Sequence, residues 1–188
     1  MRIIAGQYRS RPLRAAPGLD TRPTTDRTRE TLFNVVTAGN PAALEGSVWL
    51  DIFAGTGAVG IEALSRGARR VYFIESARRA AAVIRENLRS LGIGEGFAVV
   101  EREAVPALRM LEAGEVTADY CFLDPPYRRQ EAYRETLEFL SQSRLVGEPT
   151  LIVAEHDRHF DPGERVGTLV RRRKLVQGDA GLSFYRRG

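Results

Sequence analysis

A chain of 188 residues with 43% hydrophobic and 28% charged side chains has the length and composition of one globular domain with a sizeable core, which excludes a disordered or fibrous protein. No apolar run approaches the roughly 18 residues of a membrane span, and the N-terminus lacks a signal-peptide core, so a soluble cytoplasmic protein is expected. The single cysteine, Cys121, cannot form an internal disulfide and falls in an apolar run, which reads as buried packing.

The net charge of +4 is concentrated at the start of the chain. Residues 1–34 carry seven arginines against three acidic residues, and the remainder is neutral. Interleaved with Gly6, Tyr8, Pro12 and Pro17, this segment reads as an arm that meets a nucleic-acid backbone, with Arg9, Arg11, Arg14, Arg22 and Arg27 as its contacts. The alternative is a basic tail tied to the core by arginine–carboxylate pairs. Ile3 to Ala5 and Arg11 to Leu13 are expected to form a short hairpin around Gly6 to Ser10, and Asp20 to Pro23 a turn. A helix is expected from Asp26, its stripe of Leu32, Phe33, Val35 and Val36 packing on the core. Residues 1–38 thus divide into arm and helix, and 39–188 make the core of the same domain.

That core is organised around Val48 to Gly60, VWLDIFAGTGAVG. Val48 to Ile52 suits a buried parallel strand, and Gly55, Gly57 and Gly60 follow with the spacing of a dinucleotide-binding loop that opens a helix. Glu75 stands twenty residues beyond Gly55, at the end of a second apolar run. A nucleoside-bearing cofactor is implied, and charge selects which. Asp51, just ahead of the loop, would repel a pyrophosphate but attract a cofactor with an ammonium and a sulfonium and no phosphate. S-adenosylmethionine (SAM) fits, with Asp51 near its amino group and Glu75 near the ribose hydroxyls.

After the loop, helices are expected at 58–67, 76–91, 104–113 and 131–145, and strands at 48–53, 71–75, 97–101, 119–124 and 150–155. Such alternation means a parallel sheet with helices on both faces. The fourth strand ends in Asp124-Pro125-Pro126-Tyr127. Two prolines remove two N–H donors, leaving carbonyls and the Asp124 carboxylate as an acceptor-only surface suited to an amino group. Hydrogen bonds from an exocyclic amine to Asp124 and the Pro125 carbonyl would turn its lone pair towards a methyl donor, and Tyr127 would stack on the base. Arg128 and Arg129 follow directly and could meet phosphates.

Together these segments, with RIIAGQYRSRPL at the start, RPTTDRTRETLFN at 22–34 and FIES at 73–76, make the chain resemble the RsmD family of bacterial rRNA guanine-N2 methyltransferases. The resemblance implies a Rossmann-like class I methyltransferase fold, α/β, with a mostly parallel seven-stranded sheet, helices on both faces, a C-terminal antiparallel hairpin and a short N-terminal arm. It implies cofactor contacts at Asp51, Phe53, Ala54, Gly55, Gly57, Glu75, Ser76, Glu103, Ala104 and Asp124, and catalysis at Asp124, Pro125, Pro126 and Tyr127. The partner implied is small-subunit (16S) rRNA, within the small ribosomal subunit or its assembly intermediate, met by a monomer. Rival readings are adenine-N6 methylation, since the same motif serves either amine, and a non-catalytic module that binds nucleotide and RNA.

In the last third, Gly167 to Val176 and Leu182 to Arg186 read as the antiparallel hairpin, with Arg171 to Lys174 on a solvated edge. Glu155, His156, Asp157, His159 and Asp161 read as a surface loop, and no metal site is expected there.

Overall fold

The computed structural model describes residues 1–15, 24–126 and 128–188. The turn expected at 20–23, together with Arg22 and Tyr127, lies outside the described residues. The elements are α1 (Asp26–Val36), β1 (Val48–Ile52), α2 (Ala58–Ser65), β2 (Arg70–Ile74), α3 (Arg78–Leu91), β3 (Phe97–Val100), α4 (Ala104–Ala113), β4 (Ala118–Leu123), α5 (Gln130–Gln142), β5 (Val146–Asp157), β6 (Arg165–Val166), β7 (Leu169–Gln177) and β8 (Ala180–Arg187). Their strands form one sheet in the order β3-β2-β1-β4-β5-β8-β7-β6, parallel as far as β5 and antiparallel beyond it.

Among the described residues the sheet has eight strands, one more than expected. The addition is β6: Gly167, at φ +56, opens a two-residue turn that lays Arg165 and Val166 back on β7. Two residues carry no alternating pattern, so this strand was invisible to periodicity. A second correction concerns β5, which outruns its expected span at both ends. Glu155 and His156 are buried strand residues, not parts of a surface loop. The His156 ring meets the Ser183 hydroxyl at 2.9 Å and the Asp157 carbonyl at 2.8 Å. Burial holds this imidazole below its usual pKa.

Alternation along β1 sends Trp49 and Asp51 to one face of the sheet and Leu50 and Ile52 to the other. The first face is covered by α1, α2 and α3 through Leu32, Phe33, Ile61, Ile84 and Leu88; the second by α4 and α5 through Leu108, Leu111, Tyr133 and Leu137. Covering both faces explains why all five residues of β1 are buried. On α1, Phe33 stacks on Trp49 at 5.4 Å, and Trp49 stacks in turn on Tyr120 at 5.0 Å. Burying a Leu or Phe side chain contributes about 1.5–3 kcal/mol, so Leu32 and Phe33 fix α1 more firmly than its own helix propensity can.

The N-terminal arm is held by backbone contacts to α2. Buried Glu62 accepts the Ile4 and Ala5 N–H groups at 2.8 and 2.9 Å and the Arg66 Nε–H at 2.8 Å. The Ser65 hydroxyl donates to the Ala5 carbonyl at 2.6 Å and accepts the Tyr8 N–H at 3.0 Å. Gly6 is required there, because a Cβ would stand 1.8 Å from the Ser65 carbonyl oxygen. The expected hairpin forms: Arg2 bridges Pro12, and the Ile3, Ser10 and Leu13 N–H groups donate to the Arg11, Ile3 and Met1 carbonyls at 3.0, 2.9 and 3.1 Å. Arg14 pairs with Glu86 at the surface, where an ion pair adds about 0–1 kcal/mol, so among the described residues the arm is not held mainly by arginine–carboxylate pairs.

Candidate active site

A cavity of about 210 Å³ opens at the carboxyl ends of β1, β2 and β4, where the strand order reverses direction. This is the switch point at which an open α/β sheet leaves a crevice for a ligand. The route out of β1 is set by backbone conformation: Phe53 adopts φ +63, Gly55 φ +56 and Gly57 φ +77. A Cβ on Gly55 would meet nothing within 4 Å, so glycine serves the turn there and leaves the space above it open. Gly60 serves packing, since a Cβ would lie 2.4 Å from the Phe73 ring and 3.0 Å from Asp51 Oδ2.

Asp51 is 1% exposed, and its Oδ2 accepts the Gly60 N–H at 2.8 Å. Burial raises its pKa to about 7, against the pull of that N–H and with a further push from the Glu75 charge. The Glu75 carboxylate accepts the Gly55 N–H and the Ala77 N–H, both at 2.8 Å, so it ties the glycine loop to the end of β2. At the end of the neighbouring strand β4, burial and the Glu155 charge raise the Asp124 pKa well above its usual value, opposed by a hydrogen bond from Thr24. The Pro125 carbonyl accepts from the Tyr133 hydroxyl at 3.2 Å, which leaves it capacity for one further donor.

The structure thus brings Asp51, Phe53, Ala54, Gly55, Glu75, Ser76, Asp124, Pro126 and Arg129 together around one cavity. Gly57 caps the start of α2 beneath it, and Pro125 is buried beside it. Glu103 and Ala104 begin α4 outside the lining; the Glu103 carboxylate reaches Arg129 at 3.6 Å. Arg128 lines a neighbouring cleft with Tyr133, His159 and Phe160. Arg9, Arg11 and Arg14 are exposed on the arm, and Arg27 is exposed on α1.

The cavity wall also holds Met1, Thr56, Ala58, Val59, Ala77 and Phe122, which sequence reasoning did not name as site residues, and Thr24, which it placed only within the 22–24 stretch at the cofactor mouth. Thr24 joins Asp124 to Glu155, its hydroxyl 3.3 Å from the first and 2.9 Å from the second. The signal for Glu155 was present, because it ends the apolar run Leu151 to Ala154 as Asp51 and Asp124 end theirs.

The family described as conserved hypothetical protein 95 matches residues 1–186. Ribosomal RNA small subunit methyltransferase D of Escherichia coli K12 is 38% identical over 189 residues, covering 100% of this chain and 90% of that relative. The solved E. coli protein YhhF superposes with a TM-score of 0.80 at 35% identity, over 100% of this chain and 97% of that one. A SAM-dependent methyltransferase of Agrobacterium tumefaciens shares the fold alone, with a TM-score of 0.64 at 14% identity over 89% of this chain and 63% of that one. A match over nearly its whole length therefore makes this chain a member of the conserved hypothetical protein 95 family, the RsmD family.

Proposed function

We propose that the protein is a SAM-dependent methyltransferase acting on the exocyclic N2 amine of a guanine in small-subunit rRNA. The observation that carries this is the pair of carboxylates at the ends of β1 and β4: buried Asp51 and half-buried Asp124 line one cavity from adjacent strands. The names of its relatives support the reading, since they describe methyltransferases of small-subunit rRNA.

The residues present suit the cofactor. A carboxylate as buried as Asp51 is stabilised in its charged form by a cation, and the cofactor's ammonium is one. Open space above Gly55 admits a close approach, and Glu75, already fixed by two N–H groups, keeps lone pairs for ribose hydroxyls. When bound, SAM supplies an electrophilic methyl group. Asp124 accepts hydrogen bonds from the target amine, orients its lone pair and stabilises the positive charge that develops on nitrogen. The Pro125 carbonyl is the second acceptor, and Tyr127 offers an aromatic face to the base. Alignment of amine and methyl donor does most of the work, with no covalent enzyme intermediate.

The RNA partner would meet Arg9, Arg11 and Arg14 on the arm, Arg27 on α1, and Arg128 and Arg129 just beyond β4; Arg22, expected among these contacts, lies outside the described residues. Chain 1–188 acts as a single methyltransferase domain and monomer in the cytoplasm. Among the described residues no helix is long and apolar enough to cross a membrane. Tritium transfer from labelled SAM to small-subunit rRNA, followed by nucleoside analysis, tests the reading. N2-methylguanosine is the expected product; N6-methyladenosine, or no labelled RNA, would overturn it.

A further inference from the structure

Beside the active-site cavity lies the cleft that Arg128 lines, and the methyl transfer described above does not need it. It holds about 240 Å³ against about 210 Å³ for the cavity, so it has room for a ligand group of similar size. Arg128, Gln130 and Tyr133 come from the stretch after β4 and the start of α5; Asp157, His159 and Phe160 come from the end of β5 and the turn beyond it. Pro126 and Arg129, two residues before Arg128 and one after it, line the active-site cavity, so the two spaces are neighbours. The Tyr133 hydroxyl stands 3.2 Å from the Pro125 carbonyl and 2.9 Å from the Glu155 carbonyl, which ties the cleft to a proposed acceptor of the amine. Buried Tyr133 packs on half-buried Phe160 with ring centroids 5.0 Å apart. The Asp157 carboxylate accepts the His159 N–H at 2.8 Å, and the Asp157 carbonyl accepts the Phe160 N–H at 3.1 Å, so the turn that presents both rings is fixed. Phe160 is thus held in place yet half-exposed, with the exposed side chains of Arg128 and His159 at the same cleft.

An aromatic surface rimmed by a guanidinium, an amide, an imidazole and a carboxylate matches the chemistry of a nucleotide: a flat base that stacks, edges that hydrogen-bond and a phosphate that pairs with arginine. The reaction gives a reason for such a seat. A base drawn out of its strand to meet a methyl donor leaves the next base without a stacking partner on one side, and unstacking costs free energy. We infer that the cleft seats the nucleotide adjacent to the target base, with its own base on Phe160 and His159 and its phosphate at Arg128. The aromatic seat replaces the lost stacking, and Gln130 and Asp157 meet the edge of the base. This rests on the RNA-methylation reading and adds to it a second base-binding position.

The test measures kcat/KM for transfer of labelled methyl groups from SAM to small-subunit rRNA. Phe160→Leu keeps apolar bulk against Tyr133 but loses the aromatic face, and should lower kcat/KM roughly tenfold. Phe160→Tyr keeps the face and should stay within about threefold of wild type. His159→Ala, at an exposed position, should cost roughly threefold or more, and Arg128→Gln should reduce the salt slope of RNA binding by about one. S-adenosylhomocysteine affinity should be unchanged in all four, which checks that each is folded and separates the cleft from the cofactor cavity. A wild-type kcat/KM in folded Phe160→Leu, or an equal loss in Phe160→Leu and Phe160→Tyr, would overturn the inference. Were Phe160→Leu to fail to fold, a wild-type kcat/KM in folded His159→Ala would overturn it alone. No label transferred to RNA by the wild-type protein sinks the methyltransferase reading itself; normal transfer with any of the overturning results sinks only the nucleotide seat.

Discussion

Asp51 makes a prediction that can be worked from its surroundings. Burial sets its pKa in the ligand-free protein to about 7, and it must be ionised to hold the cofactor's ammonium. At pH 8 about nine-tenths of the protein carries the charged form, and at pH 6 about one-tenth does, so affinity for S-adenosylhomocysteine should fall roughly tenfold between them. Isothermal titration calorimetry in buffers of different ionisation enthalpy should find close to one proton released per ligand at pH 6 and few at pH 8. Asp51→Asn should remove the pH dependence and weaken binding by roughly thirtyfold or more, the usual range for truncating one partner of a buried charge pair. The ligand-free protein carries the opposite signature. A carboxyl whose folded pKa lies above its unfolded value of about 3.9 contributes stability that is fully present below about pH 4 and lost as pH rises through about 7; that gap corresponds to about 4 kcal/mol. Asp51→Asn should therefore gain stability over wild type by a growing margin between pH 5 and pH 8, measured by urea unfolding. Affinity that stays flat from pH 8 to pH 6, with no proton released on binding, would refute the anchoring role.

Asp124→Ala removes the charged acceptor for the amine and should lower single-turnover methylation roughly a hundredfold or more, with much less effect on RNA affinity. A near-normal rate in a variant with wild-type circular dichroism would remove Asp124 from the chemistry. Glu62→Ala strands the Ile4 and Ala5 N–H groups and the Arg66 guanidinium, so it should cost about 3 kcal/mol or release the arm, which hydrogen exchange at Ile4 and Ala5 would detect. Charge reversal at Arg9, Arg11 and Arg14 should weaken RNA binding and flatten its salt dependence while leaving cofactor affinity nearly intact. An unchanged salt slope would make these arginines structural.

How much could be read from the chain depended on whether a residue's role was local. Val48 to Gly60 announced itself because a strand, a turn and a helix start succeed one another within thirteen residues. Asp124 was legible for the same reason, with two prolines fixing the backbone immediately after it. Glu155 was misread despite ending an apolar run, because Glu-His-Asp looks like solvated loop until Ser183, Gly181 and Phe160 close around His156. Those neighbours come from β8 and the stretch after β5, and no period in the sequence reports them. Thr24 was legible only as part of a stretch near the cofactor mouth; its link between Asp124 and Glu155 spans 100 and 131 residues of sequence. The arm was legible in its charge but not in its attachment, which depends on backbone donors meeting Glu62 and Ser65.

The stack of Phe33, Trp49 and Tyr120 gives the protein an optical handle of its own. Trp49 is the single tryptophan of the chain, fully buried, two residues before Asp51 on the same sheet face and against the helix whose N-terminus follows Thr24. Its emission should be blue-shifted in the native protein and move to the red when α1 lifts from the sheet. The docking of α1 on the sheet during folding can thus be followed at one wavelength in unlabelled protein, on the timescale of mixing, without any added reporter.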